Sequence, residues 1–203
     1  MTARPLGRPG VHLLNHVEFV YAPGDRAHVR AFLEALGMRV LDPQTDPTPP
    51  ELGPAAGPYL IVYLAEGDDD LIDNVVYASE VRPEQWALES ALRDRVAADG
   101  ELRSLVADYR EEFVRLPQAM THVGLAYSST EEVKQAMARL AANDALRDRV
   151  ALSDVYEPGG PGSVDDRVTQ AFVHTDLVSV GLLLGGQQFE LQVRHDGASG
   201  VSA

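Results

Sequence analysis

The sequence has no cysteine among its 203 residues. This absence excludes disulfides, zinc–thiolate sites, iron–sulfur clusters and a cysteine nucleophile. Basic residues are also scarce, because 17 Lys and Arg stand against 31 Asp and Glu, which gives a formal net charge of −14. Proteins that bind nucleic acids usually carry a basic face, so a phosphate-backbone partner is not expected.

Long apolar runs are missing as well. No stretch approaches the roughly 20 apolar residues that a transmembrane helix requires, so no membrane partner is expected. The segment Met1-Thr2-Ala3-Arg4-Pro5 has no apolar region after its basic residues, so no secretory signal is visible. The expected location is therefore the cytoplasm. A chain of this length fits one domain or two small ones.

A weak internal repeat organises what is present. Residues 15–21 and 121–127 each have the pattern of a strand, with His16 or His122 near its start and a tyrosine five residues later. An apolar helical pattern follows each strand, and Gly37 occupies the expected end of the first helix. Three further strand patterns follow in each half, and Gly185-Gly186 suits a hairpin turn before the last one. The fold class predicted is α+β, with two βαβββ modules.

The predicted boundaries are an N-terminal module over 1–82, a helical connector over 83–117 and a C-terminal module over 118–203. The modules together form one domain. Pro83 suits the first turn of a helix, Asp99-Gly100 is expected to divide the connector into two helices, and Pro117 is expected to end the second. The connector is interpreted as a scaffold or a dimer arm, which makes a homodimer a candidate assembly.

Strand alternation places several polar side chains on one face. In the last strand Gln188, Glu190 and Gln192 point away from the apolar side chains that must face the helices. His16 and His122 also lie opposite the apolar residues of their strands. The sequence therefore predicts a metal site formed by His16, His122 and Glu190.

Two neutral imidazoles and one carboxylate form the ligand set suited to non-haem Fe(II), and Mn, Co, Ni or Zn can occupy such a site. Positions left open on the ion accept substrate oxygens, dioxygen or water. The expected cofactor is a divalent metal ion, with Fe(II) preferred. The expected partner is a small aromatic or oxygen-rich molecule. A single histidine or glutamate in a strand is more often structural, so periodicity alone leaves both interpretations open.

Several segments resemble the vicinal oxygen chelate superfamily, which includes glyoxalase I, bleomycin- and fosfomycin-resistance proteins, methylmalonyl-CoA epimerase and type I extradiol dioxygenases. The matching segments are Leu14–Phe19 with Phe32–Met38, and His122–Leu125 with Phe189–Leu191. The likeness covers about residues 15–81 and 121–193 and omits the connector. It implies that the modules form a cupped mixed sheet and that ligands come from the first and last strands of each module.

A four-ligand site of the glyoxalase kind would need an acid in the last strand of the first module. Matching the last strands of the two modules puts Val76 opposite Glu190 and Asn74 opposite Gln188. Neither residue is a carboxylate. The resemblance therefore favours the His, His, Glu set of the extradiol dioxygenases, and with it iron and oxygen chemistry.

Further site residues are assigned around the ligands. His174 is a candidate general base, or a strand histidine hydrogen-bonded to a carbonyl. Glu18 is a candidate pocket acid or partner of a ligand, or a solvent-facing residue. Gln188, Gln192 and Asn74 are candidate substrate-binding residues.

The extradiol pattern is incomplete in this sequence. No tyrosine follows His174, and Gly185-Gly186 stands where Asp-Pro-x-Gly is usual. The expected function is a metal-dependent oxidoreductase of the dioxygenase kind. The alternatives are a lyase or isomerase that uses Zn, Ni or Co, a metal-free protein that sequesters an antibiotic, and a scaffold without chemistry.

Overall fold

The computed structural model describes residues 16–47, 58–64 and 74–195. Its strands and longer helices are β1 (His16–Tyr21), α1 (Arg26–Ala35), β2 (Arg39–Leu41), β3 (Leu60–Tyr63), β4 (Val75–Glu80), α2 (Pro83–Ala98), α3 (Gly100–Arg115), β5 (Val123–Ala126), α4 (Thr130–Ala142), β6 (Val150–Leu152), β7 (Val168–Thr175) and β8 (Gln187–Arg194).

The described strands form two four-stranded mixed sheets of the same topology. The strand order is β1-β4-β3-β2 in sheet A and β5-β8-β7-β6 in sheet B. The first strand of each module pairs in parallel with the last, and the other neighbours are antiparallel. The predicted α+β class and the βαβββ order are confirmed. The two sheets stay separate, although one antiparallel bridge joins Val20 to Ser179.

Local signals set the ends of the module helices. Gly37 follows α1 with a φ of 96°, a left-handed conformation that glycine adopts without strain. Ser129 caps α4 by accepting a hydrogen bond from the Glu132 backbone N–H. The Glu132 carboxylate in turn accepts from the Ser128 backbone N–H. These caps satisfy backbone groups that a helix end leaves unpaired.

The main core lies between the two sheets and the helices α1 and α4. Phe19 on β1 and Phe32 on α1 both contact Phe189 on β8, with ring centroids 5.4 and 5.6 Å apart. All three rings are at most 1% exposed. Because residues of both modules bury each other, the modules share one hydrophobic core.

Polar contacts also join the modules. Arg149 donates to the Asp25 carboxylate of the first module, at 2.8 and 3.2 Å, and to Asp176 at 2.7 Å. These carboxylates raise the pKa of Arg149 above its ordinary value, so the guanidinium stays charged. Arg139 Nε donates to the Ala35 carbonyl at the end of α1, where unpaired carbonyls favour a cation.

The connector forms two helices, as predicted, with Pro83 in the first turn of α2. Asp99 caps α3 by accepting from the backbone N–H groups of Glu101 and Leu102. The connector is tied to the second module through Glu89, which is fully buried and accepts from the backbone N–H groups that open the 3₁₀ helix Leu183–Gly185. None of the helices in the described ranges is long and apolar enough to cross a membrane.

The register of β4 differs from the sequence alignment. Gly124 on β5 lies opposite Glu190, whereas Glu18 on β1 lies opposite Tyr77. Since Glu18 and Gly124 each follow the module histidine by two residues, Tyr77 is the counterpart of Glu190. The expectation that Val76 occupies this place is wrong, because Val76 packs in the main core beside the helices. A shift of one residue moves every side chain to the opposite face.

The turn between β7 and β8 is also longer than expected. Residues 176–186 separate the two strands and include the 3₁₀ helix Leu183–Gly185, so Gly185-Gly186 is not a two-residue hairpin turn. Gly186 has a φ of 71° and leads into β8. A Cβ at this position would lie 2.5 Å from the Thr175 carbonyl oxygen, so only glycine fits.

Candidate functional site

The faces of the two sheets that point away from α1 and α4 are called the distal faces. On β8, Phe189, Leu191 and Val193 enter the main core. Gln188 and Glu190 therefore project from the distal face of sheet B, and both are buried there. The predicted alternation of this strand is confirmed.

His122 and Glu190 form a close pair on this face. His122 lies directly before β5, and its Nε2 is 3.1 Å from Glu190 Oε2. Its Nδ1 lies 2.8 Å from the Met120 carbonyl oxygen. A carbonyl only accepts, so Nδ1 carries a proton and donates it. In neutral imidazole Nε2 then holds a lone pair directed at a carboxylate, and a proton or a metal ion must lie between these two atoms.

The other carboxylate oxygen of Glu190 has different partners. Glu190 Oε1 accepts hydrogen bonds from Gln170 Nε2 and from Gln192 Nε2, the second at 2.8 Å. Gln170 lies on β7 directly opposite Gln192 on β8. The carboxylate therefore has one oxygen bound by two amides and one oxygen facing His122.

Space next to this pair comes from a glycine. Gly124 lies beside Glu190 in the sheet, and a Cβ added there would be 3.8 Å from Glu190 Oε2. Gly124 is exposed, so the pair can be reached from the β5 side. On the β7 side, the Phe172 ring stands edge-on to the His122 ring, 5.9 Å between centroids. The pair thus has one apolar wall and one open side.

A cleft of about 960 Å³ lies between the modules, and Gly124 is one of its lining residues, whereas His122 and Glu190 do not line it. It is lined by His16 and Asn74 of the first module and by residues 124–128 of the second. Arg139 and Glu132 on α4 bring charged groups to its rim. This volume lies in the range of small-molecule sites.

The first-module candidates occupy the neighbouring edge. His16 begins β1, lines the cleft and stands edge-on to Tyr77, with ring centroids 5.8 Å apart. Glu18 accepts a hydrogen bond from Ser79 Oγ at 3.0 Å. Asn74 precedes β4 with a φ of 57°, an uncommon conformation for a residue other than glycine.

The structure brings two of the three proposed ligands together and leaves the third apart. His122 and Glu190 are in contact, whereas His16 belongs to no group of three His, Asp or Glu side chains suited to a metal ion. No such group of three occurs anywhere in the described part of the chain. An imidazole nitrogen and a carboxylate oxygen still form a donor pair that fits Fe(II), Mn(II), Co(II), Ni(II) or Zn(II).

His174 and Gln188 lie under the connector. The His174 ring stacks on Phe113 of α3, 4.2 Å between centroids, and its Nε2 is 3.1 Å from the Gly185 carbonyl oxygen. Burial lowers the pKa of His174 below its ordinary value. Gln188 is fully buried and donates to the Pro117 carbonyl at 2.7 Å. These contacts favour the structural interpretation of both residues over the roles proposed from sequence.

Sequence reasoning missed Gln170. Gln170 is the third residue of β7, which begins at Val168. Alternation back from Phe172 would have placed Gln170 on the distal face. It also missed Phe113 as a cover for His174, because nothing in the sequence indicates where the connector packs.

No family model matches the chain, and neither does any curated protein. Among solved structures, the hypothetical protein SA1046 from S. aureus aligns at 12% identity and a TM-score of 0.40, covering 91% of this chain and 98% of that one. Protein PA1353 from Pseudomonas aeruginosa aligns at 13% identity and a TM-score of 0.40, covering 91% of this chain and all of that one. Likeness at this level assigns neither a family nor a function.

Proposed function

We propose that this protein is a metal-dependent enzyme of the vicinal oxygen chelate kind that acts on a small oxygen-rich or aromatic molecule. The lead reaction is an Fe(II)-dependent oxygenation. The observation that carries the proposal is the His122–Glu190 pair, in which Nε2 and Oε2 face each other at 3.1 Å while Nδ1 is held by a carbonyl.

The surroundings of the pair support metal binding. A ligating histidine usually donates its second ring N–H to a carbonyl or carboxylate, which fixes the tautomer and leaves the other nitrogen free for the metal. The His122–Met120 contact has this form. His122 Nε2 and Glu190 Oε2 would hold the ion, with His16 as the candidate third ligand from the first module.

The remaining residues shape access to the pair. A bound divalent ion would supply Lewis acidity and, for iron, a site for dioxygen. Gly124 leaves room for a substrate beside Glu190 Oε2, and the Phe172 ring lies against His122 on the opposite side. The neighbouring cleft, which Gly124 also lines, can bind the rest of the molecule through polar residues such as Asn74 and Arg139. His174 stays outside this arrangement, since Phe113 covers it.

Metal titration tests the proposal. Protein purified anaerobically and stripped with a chelator is expected to bind about one Fe(II) per chain, and Co(II) in its place. Absence of stoichiometric binding would exclude the metal-dependent reaction. If binding occurs, oxygen consumption with candidate substrates, present with Fe(II) and missing with Zn(II), distinguishes an oxygenase from a lyase or isomerase.

A metal-free binding protein is the second candidate. It is favoured by the lack of a third ligand beside His122 and Glu190 in the described residues. In that case a hydrogen bond, with no metal ion, joins His122 to Glu190, and the cleft sequesters a small molecule unchanged. A ligand that binds chelator-treated protein as tightly as the metal-loaded protein would favour this function.

A further inference from the structure

We infer that Gln170 and Gln192 act as positioning residues that restrict Glu190 to one coordinating oxygen and aim that oxygen at His122. This inference rests on the proposed function. It gives a role to Gln170, which the sequence prediction did not include, and a different role to Gln192, which was expected to bind substrate.

The geometry begins with the two amides. Gln170 and Gln192 are direct cross-strand neighbours on β7 and β8, and both side chains reach the same oxygen, Glu190 Oε1. Each amide N–H occupies one lone-pair direction of that oxygen. With both directions occupied, Oε1 has no capacity left for a metal ion.

The other oxygen is left available. Glu190 Oε2 faces His122 Nε2 at 3.1 Å, and Gly124 places no side chain over it. A carboxylate free at both oxygens can bind a metal in a bidentate manner and rotate about its last torsion. Glu190, with Oε1 held, is limited to monodentate binding through Oε2, which leaves more positions on the ion for substrate or dioxygen.

Burial makes this constraint effective. Gln170 is 8% exposed and Glu190 is 7% exposed, so water competes little for their hydrogen bonds. The first module has no such arrangement at the equivalent positions. Tyr77 stands in place of Glu190, and Ser79, two residues further along β4, donates to Glu18.

The test compares Gln170→Leu/Gln192→Leu with a matched control, Gln188→Leu. Gln188 lies on β8, on the same face as Gln192 and two residues to the other side of Glu190. Its side chain donates to the Pro117 carbonyl and not to Glu190. Partners of metal ligands typically contribute about 10- to 100-fold in affinity. We expect the double variant to bind Co(II) about 10-fold or more weakly, with altered visible d–d absorption, while the control keeps the wild-type affinity and spectrum.

A second measurement, made on metal-free protein, tests the inference even if the double variant does not fold. In the metal-free protein, the side-chain amide NMR signals of Gln170 and Gln192 are expected to shift in Glu190→Ala, whereas that of Gln188 stays in place. Signals that do not respond overturn the inference alone, as does a folded double variant with wild-type Co(II) affinity and spectrum. Wild-type protein that binds no Co(II) overturns the proposed function and this inference with it.

Discussion

The distal faces of the two sheets have the same topology and opposite chemistry. In sheet A this face carries a buried apolar cluster that contains Leu41, Ile61, Tyr63 and Val75. In sheet B it carries a buried polar group of Gln170, Gln188 and Glu190. Two copies of one strand arrangement therefore place side chains in equivalent positions, and only the residue types decide whether a face becomes a core or a site.

The positions nearest the module histidines show the contrast most clearly. In the second module Gly124 leaves space and Glu190 supplies the carboxylate across from it. In the first module Glu18 stands where the glycine would be and Tyr77 where the carboxylate would be. The acid thus lies on the first strand in one module and on the last strand in the other. The proposed function therefore predicts that the second module supplies most of the metal affinity.

The largest expected effect is that of Glu190→Ala. Removing the carboxylate that contacts His122 should weaken Co(II) binding by more than about 100-fold, beyond the range for residues that merely support a ligand. Isothermal titration of stripped protein measures this loss. Tyr77→Phe, at the equivalent position of the first module, is the control and should bind Co(II) like the wild type. Similar losses in both variants would contradict the asymmetry.

Ile61→Ala should lower the stability of the fold and leave the metal affinity unchanged. Ile61 is 1% exposed in the apolar cluster of sheet A, so truncation leaves a cavity and should cost about 3 kcal/mol of unfolding free energy. Urea denaturation measures the change. Glu18→Ala, on the exposed part of the same face, should change stability by less than about 0.5 kcal/mol. A small effect at Ile61 would show that this face is not a core.

His16→Ala measures what the first module contributes to metal binding. We expect Co(II) affinity to fall by about 10-fold, less than in Glu190→Ala, because the structure leaves His16 apart from the His122–Glu190 pair. The same titration gives the value, with His28→Ala as a histidine control away from the cleft. An unchanged affinity would restrict the site to the second module.

The smallest effect concerns pH and His174. Burial lowers the pKa of His174 below its usual 6.5, so the unfolded chain takes up this proton more readily than the folded chain. The contribution of His174 to the free energy of unfolding is therefore complete above about pH 6.5 and is lost as the pH falls through the lowered pKa. His174→Gln should therefore flatten the fall in Tm as the pH drops below about 6.5, which thermal unfolding across a pH series measures. A His174→Gln variant whose Tm falls with pH as steeply as that of the wild type would contradict this account.

Much of this architecture follows from residue patterns. Gly37 ends the first helix, Asp99-Gly100 divides the connector, and the alternation around Glu190 gives the face on which it lies. These predictions succeeded because each depends on a few neighbouring residues. The β4 register failed for the corresponding reason. Val75 and Val76 are both apolar, so no local pattern shows which of them faces the helices, and only pairing with β1 decides it.

The sequence by itself determined the two βαβββ modules, the acidic character of the chain and the three polar residues proposed as ligands. The tertiary structure alone decided which of them meet. His122 and Glu190 are 68 positions apart in the chain (190 − 122 = 68) and are brought into contact by the parallel pairing of β5 with β8. The hydrogen bond from Gln170 to Glu190 and the cover of Phe113 over His174 likewise depend on strand register and helix docking. Those are set by packing of the whole core, and no local sequence pattern encodes them.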